Sequence, residues 1–252
     1  FIDAAFLKHL LDASDRGASD LTVAGKLFCD RFPPDKIPAL PTCGIFLRRE
    51  FPLKNNLEFP EGIHPCEDGL FSHFVLALTE KISFCPEAVY HYRQHEQGNH
   101  HQIRKRTADI LPMIPRWLSL IEEFYEQRHL WKRKAGHLVR FIEHEPFELR
   151  LLGMPFSPPE QEILYSIIRD FLTAHCTAAE CRRASLHLPF RLLLQSSGFS
   201  DFGRRLRRAG KNTGIRRKLL HFCPVPSWRR NGRAQLRQVR EQLEEIRRNI
   251  TF

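Results

Sequence analysis

The chain has 252 residues, with 39 Lys or Arg against 29 Asp or Glu, a formal net charge of +10. Hydrophobic residues make up 42% and aromatics 11%, including 20 Phe, enough apolar material for a core, which excludes wholesale disorder. No uninterrupted apolar run reaches the ~18 residues of a membrane span, and seven cysteines without a C-x-x-C pair argue against a disulfide framework or a zinc ribbon and fit a reducing cytosol.

In chain order, Ile2, Phe6, Leu7, Leu10 and Leu11 predict a helix over residues 1–15, with Gly17 as its break. Leu21–Leu27 reads as a short buried strand, so an α/β layer is expected. Residues 31–42 hold Pro33, Pro34, Pro38 and Pro41 and must be loop. Gly44–Arg49 restarts regular structure, and Leu57–Gly62 is a turn. Leu70–Leu78 predicts a helix that starts just after Glu67-Asp68, where acidic side chains suit the helix dipole. Lys81–Phe84 and Ala88–Tyr92 read as two short strands parted by Pro86.

From Ile103 onward the pattern is helical, with centres at Trp117–Tyr125, Leu138–Ile142, Ile163–Leu172 and His187–Leu194. Charge then separates from the body. Residues from Asp201 to the end carry 15 Lys or Arg against 4 Asp or Glu, and the rest is close to neutral. Leu236, Val239, Leu243, Ile246 and Ile250 form a short heptad seam, suited to packing on the same chain or in a homodimer. The reading divides the chain at 1–102, 103–200 and 201–252.

Four segments stand in a fixed order. They are Cys43-Gly-Ile-Phe-Leu-Arg-Arg-Glu-Phe-Pro, Lys54-Asn-Asn-Leu-Glu-Phe-Pro-Glu-Gly62, Glu67-Asp68-Gly-Leu-Phe71 and Tyr90-His-Tyr-Arg93. This set resembles the acceptor-side half of family-2 glycosyltransferases of the GT-A fold, over roughly residues 1 to 100. The expected fold class is therefore α/β: an incomplete GT-A half followed by an α-helical C-terminal region.

Sugar transfer needs a carboxylate to take the acceptor's hydroxyl proton, neutralisation of the diphosphate leaving group, and in-line placement of the reactants. The resemblance implies that Asp68 is the general base of an inverting transfer and that Glu67 orients it or contacts the acceptor. The plainer use of such a pair is a helix cap, and one carboxylate can serve both. Arg93 is a candidate for the diphosphate, against an ordinary surface ion pair. His91 is a candidate metal ligand, against an inert strand histidine. Arg48 and Arg49 are candidates for steering an acidic acceptor, against one solvated arginine and one that supports the fold. Cys43, Cys66 and Cys85 read as small apolar filling. His95, His100 and His101 lack partners at zinc-like spacing and read as a polar loop.

The resemblance implies a nucleotide-sugar donor, a glycan or lipid-linked acceptor, and a divalent metal, Mg or Mn, in the complete enzyme. The metal's main ligands belong to an Asp-x-Asp motif that this chain does not contain. The expectation is that the chain starts just after that motif and is inactive alone. Bacterial surface polysaccharide synthesis is the context expected by analogy.

Residues 201–230 alternate Arg and Lys with Phe202, Leu206, Leu219, Phe222 and Trp228, which suits an anionic membrane surface. A cytoplasmic protein, peripheral at the inner face of the membrane, is expected. The rivals are a catalytically inactive relative used as a scaffold or partner subunit, and a basic helical nucleic-acid-binding protein.

Overall fold

The computed structural model describes residues 1–91, 103, 106–221 and 237, and side chains only to residue 210 in the last helix. Arg93, the histidines at 95, 100 and 101, and the heptad seam lie outside the described residues, as does Trp228.

The chain is mixed α/β and mainly helical, with a small open sheet of three strands among the described residues. It forms two compact units, Phe1–Glu145 and Pro146–Phe252. The sequence places the end of the α/β part at residue 102; the first unit instead runs to Glu145, because two later helices pack on the helix that follows Glu67.

In the first unit, α1 (Phe6–Gly17) leads to β1 (Leu21–Ala24) and the short α2 (Lys26–Arg31). β2 (Ile45–Leu47) and α3 (Glu50–Lys54) follow, then α4 (Glu67–Leu78) and β3 (Ile82–Cys85). The strand order is β2-β1-β3. β1 runs antiparallel to β2, with Thr22 opposite Phe46, and parallel to β3, with Val23 opposite Phe84. All four residues of β1 are buried, as a central strand covered on both faces requires. Of the expected second strand at Ala88–Tyr92, the described part pairs only through an isolated bridge between Tyr90 and Ile2.

α1 covers the sheet through Phe6, Leu10 and Ala13, which cluster with Ala24, Cys85 and Ala88. Leu7 and Leu11, expected on the buried side, are about half exposed. Gly17 ends the helix where the chain passes close to β3, since a Cβ there would collide with Ser83 Oγ.

α4 is the centre of the unit. Every residue from Gly69 to Ala77 is buried, which is the pattern of a helix wrapped on all sides. It is covered by α5 (Thr107–Gln127) and α6 (Trp131–Ile142). α5 starts well before Trp117 and runs through Pro112 and Pro115. Each proline removes a backbone donor. The helix persists because Ile110, Ile114, Trp117, Leu118, Ile121 and Tyr125 bury one continuous face.

A π-helical stretch, Glu143–Leu152, follows α6. In the second unit come α7 (Pro158–His175), α8 (Ala178–Ala184), α9 (Leu188–Gln195) and α10 (Phe199–His221). Pro158 sits at the first position of α7, and the Glu160 carboxylate accepts from both the backbone N–H and the hydroxyl of Ser157, a capping box that fixes the helix start. Phe147, Phe190, Phe202 and Tyr165 pack around one another. Arg169 Nη1 donates to the carbonyls of Leu193, Leu194 and Ser196, satisfying the acceptors that the end of α9 leaves without an intrahelical donor.

Candidate active site

Glu67 and Asp68 fill the first two positions of α4. The residue before them, Cys66, has φ 88° and ψ 8°. A left-handed backbone at a non-glycine residue is uncommon and costs of order 1 kcal/mol or more, so the surrounding packing holds this corner in place. α4 therefore begins on an abrupt turn that presents Asp68 beside the Thr42–Gly44 turn.

Asp68 is partly buried. Its Oδ1 accepts from the Gly69 backbone N–H at 2.8 Å, and the Thr42 backbone also donates to the carboxylate. These bonds, like the helix dipole, favour the charged form. They are outweighed. Burial first, then the neighbouring Glu145 carboxylate, push the Asp68 pKa above the ordinary value of an aspartate.

Glu145 is a residue that no sequence motif singles out. It is buried and comes from the π-helical stretch, far down the chain from Asp68. Its Oε1 lies 3.1 Å from the point where a Cβ on Gly69 would stand, and Cys66 Sγ lies 3.0 Å from the same point. Gly69 is thus the gap into which Glu145 and Cys66 fit. A Glu two residues after Glu143, at the end of an amphipathic helix, was the available signal in the sequence; both are buried in the fold.

The other candidates are placed as follows. Glu67 Oε1 is 3.3 Å from His64 Nδ1, and both side chains are partly exposed. Arg48 is engaged by the fold. Its Nε donates to Ser19 O at 2.9 Å and its Nη2 to Asp15 Oδ1 at 2.6 Å, which ties β2 to the turn between α1 and β1. Arg49 is exposed at the start of α3. Of the two arginines, Arg48 is the one that supports the fold. Cys66 and Cys85 are buried and Cys43 is partly so, in agreement with apolar filling.

His91 Nε2 is 2.9 Å from Asp3 Oδ1, and its ring stacks on Phe1 with centroids 4.4 Å apart. Among the described residues no group of three or more His, Cys, Asp or Glu side chains is gathered as a metal site. Asp3 and His91 together would supply two donors, fewer than a divalent metal of the Mg type requires.

Phe59 stacks on Phe71 of α4, with centroids 4.1 Å apart and planes at 14°, and remains about half exposed. An open aromatic ring therefore lies against the same helix, one turn after Asp68. Among the described residues no helix is long and apolar enough to cross a membrane.

Comparison of the chain with protein-family models, with curated proteins and with solved structures finds no match.

Proposed function

We propose that this chain carries the acceptor-side part of an inverting, family-2-like glycosyltransferase that moves a sugar from a nucleotide-sugar donor to a hydroxyl of a glycan or lipid-linked acceptor. Asp68 is the general base, and bacterial surface polysaccharide synthesis is its setting. The observation that carries the reading is the state of Asp68: a carboxylate at a helix start whose pKa is raised by burial and by Glu145. An ordinary cap has its carboxylate stabilised in the charged form. A base that must hold a proton during transfer gains from the opposite shift, because proton affinity nearer the working pH improves general base catalysis. The mixed sheet in the same unit as α4, the ordered sequence segments and the half-exposed ring of Phe59 support the same reading.

In this mechanism the acceptor hydroxyl donates to Asp68 as its oxygen attacks the anomeric carbon, and Asp68 holds the proton when the diphosphate leaves. Glu67, beside it on the same turn, orients the acceptor. Arg49 steers an acidic acceptor, Arg93 pairs with phosphate oxygens, and His91 would add one ligand to a divalent metal whose main ligands come from the Asp-x-Asp motif of the complete enzyme. The divalent metal would neutralise the leaving diphosphate.

In a preparation that transfers sugar, Asp68→Asn lowers kcat by roughly 10²–10⁴-fold, the usual worth of a positioned base, while nucleotide-sugar binding is kept. Turnover at the wild-type rate removes Asp68 from this role. A wild-type protein that binds nucleotide-sugar but never turns over supports the second reading, a catalytically inactive relative serving as scaffold or partner subunit.

The basic end of the chain completes the proposal. Phe202 and Leu206 of α10 are buried while Arg204, Arg207 and Arg208 are exposed, so the helix turns a cationic face outward toward anionic headgroups. Sedimentation with vesicles tests this: binding that rises with the anionic lipid fraction supports docking, and indifference to lipid charge ends it.

A further inference from the structure

The second unit holds a feature that plays no part in the glycosyltransferase reading. α8 begins with a complete capping box. Thr177 is the N-cap, and its Oγ1 accepts from the Glu180 backbone N–H at 3.2 Å. The Glu180 carboxylate reaches back to the Thr177 backbone N–H at 2.8 Å and to its hydroxyl at 2.6 Å. In such a start, the residue before the N-cap and the fourth helical residue are brought face to face, normally as two apolar side chains that staple the turn. Here those two positions are Cys176 and Cys181. Their thiols lie close enough for each to shift the titration of the other. Cys176 is partly exposed and Cys181 is buried.

We infer that Cys176 and Cys181 are a dithiol modification site, closed to a disulfide across the start of α8 by a small peroxide. Two side chains that the capping box already places side by side lose little freedom when bonded. The chemistry has a direction. The neighbouring Cys176 thiol lowers the Cys181 pKa, and Cys181 together with burial raises that of Cys176, so Cys181 is the sulfur that gives up its proton more readily.

The Cys181 sulfur attacks one peroxide oxygen. The O–O bond breaks and hydroxide leaves, which takes up a proton as water, and Cys181 becomes a sulfenic acid. The Cys176 sulfur then attacks the Cys181 sulfur. The S–S bond forms, the S–O bond breaks, and the second oxygen leaves as water with the proton from Cys176. Two thiols are oxidised, one peroxide is reduced, and two waters are released.

The test uses the full chain, reduced and then treated with equimolar hydrogen peroxide. Remaining thiols are alkylated with iodoacetamide before tryptic digestion. Both cysteines fall in one tryptic peptide, Asp170–Arg182. The expected product is that peptide without alkyl groups and two hydrogens lighter than its dithiol form. Alkylation at both positions, or a sulfinic acid on one beside an alkylated other, overturns the inference. Thr177→Ala, which removes the cap, is expected to slow closure roughly fivefold, the factor by which losing such a cap loosens a helix start. Closure in guanidinium is expected to be slower than in the folded chain. Equal rates in either comparison also overturn the inference, because the capping geometry would then contribute nothing.

Discussion

The imidazole of His73 on α4 lies against that of His137 on α6, ring centroids 4.2 Å apart and planes 12° apart, and both residues are buried. Their hydrogen bonds fix their state. His73 Nδ1 faces the Pro38 carbonyl at 3.1 Å, so it carries the hydrogen and donates. His73 Nε2 then holds a lone pair, and the Tyr125 hydroxyl donates to it at 3.1 Å. His137 Nε2 donates to the His73 carbonyl at 3.1 Å. Two cations cannot share this space. Burial first, then the repulsion of His137 and Arg140, push the His73 pKa well below its ordinary value, and burial brings His137 down to about 3.

Stability is therefore expected to depend on pH. Both folded pKa values lie below the unfolded value of about 6.5. As pH falls through that value the unfolded chain takes up protons that the folded chain refuses, so stability is full above it and is lost below it. Each histidine contributes at most about 1.4 kcal/mol per pH unit, so about 2–3 kcal/mol is lost between pH 7 and pH 5.5. Urea unfolding at the two values checks this, and a flat profile contradicts the neutral pair.

Tyr125→Phe keeps the ring and removes the donor to His73 Nε2. A buried acceptor left without its donor costs about 1–3 kcal/mol. The expected result is a lower denaturation midpoint with an unchanged slope.

At the candidate site, Glu145→Gln removes a negative charge from beside Asp68. The Asp68 pKa is expected to fall toward its ordinary value, read by carbon-13 carboxyl titration or by the acidic limb of the transfer rate. An unmoved Asp68 titration separates the two carboxylates electrostatically.

Gly69→Ala places a methyl 3.0 Å from Cys66 Sγ and 3.1 Å from Glu145 Oε1. Overpacking of this kind costs about 1–3 kcal/mol. Because the clash is with one movable side chain on each side, adding Glu145→Ala is expected to relieve part of the cost. A double-mutant cycle with no coupling would contradict the contact.

Arg48→Ala is expected to lower stability by about 1 kcal/mol, discounted for partial exposure, and to leave acceptor affinity unchanged at the folded level. Arg49→Ala is expected to do the reverse: no measurable loss of stability, and a weaker, salt-sensitive KM for an acidic acceptor.

The local signals of the sequence found most element types but not all: a short helix at Lys26–Arg31 stands where the expected strand was to end and the loop begin, and the expected strand at Ala88–Tyr92 pairs, in its described part, only through a bridge. After Arg31, the end of α2, the stretch of prolines is irregular apart from short 3₁₀ turns at Pro34–Lys36 and Thr42–Gly44, and the apolar run at Leu21 became a buried strand. Glu67-Asp68 fell at the start of α4 as the acidic pair requires. Where the sequence offered two apolar faces it did not choose between them. Residues 6, 10, 13 and 14 and residues 7 and 11 both repeat at helical spacing along α1, and only the position of the sheet buried the first set and exposed Leu7 and Leu11. The extent of the first unit and the partner of Asp68 depended on tertiary packing for a similar reason. Periodicity and capping act over a few residues, whereas the joining of α5 and α6 to α4, and the entry of Glu145 into the gap at Gly69, are set by which side chains fill which space. A backbone without a Cβ and a buried carboxylate become neighbours only when the π-helical stretch folds back, and nothing in the spacing of residues 69 and 145 encodes that approach.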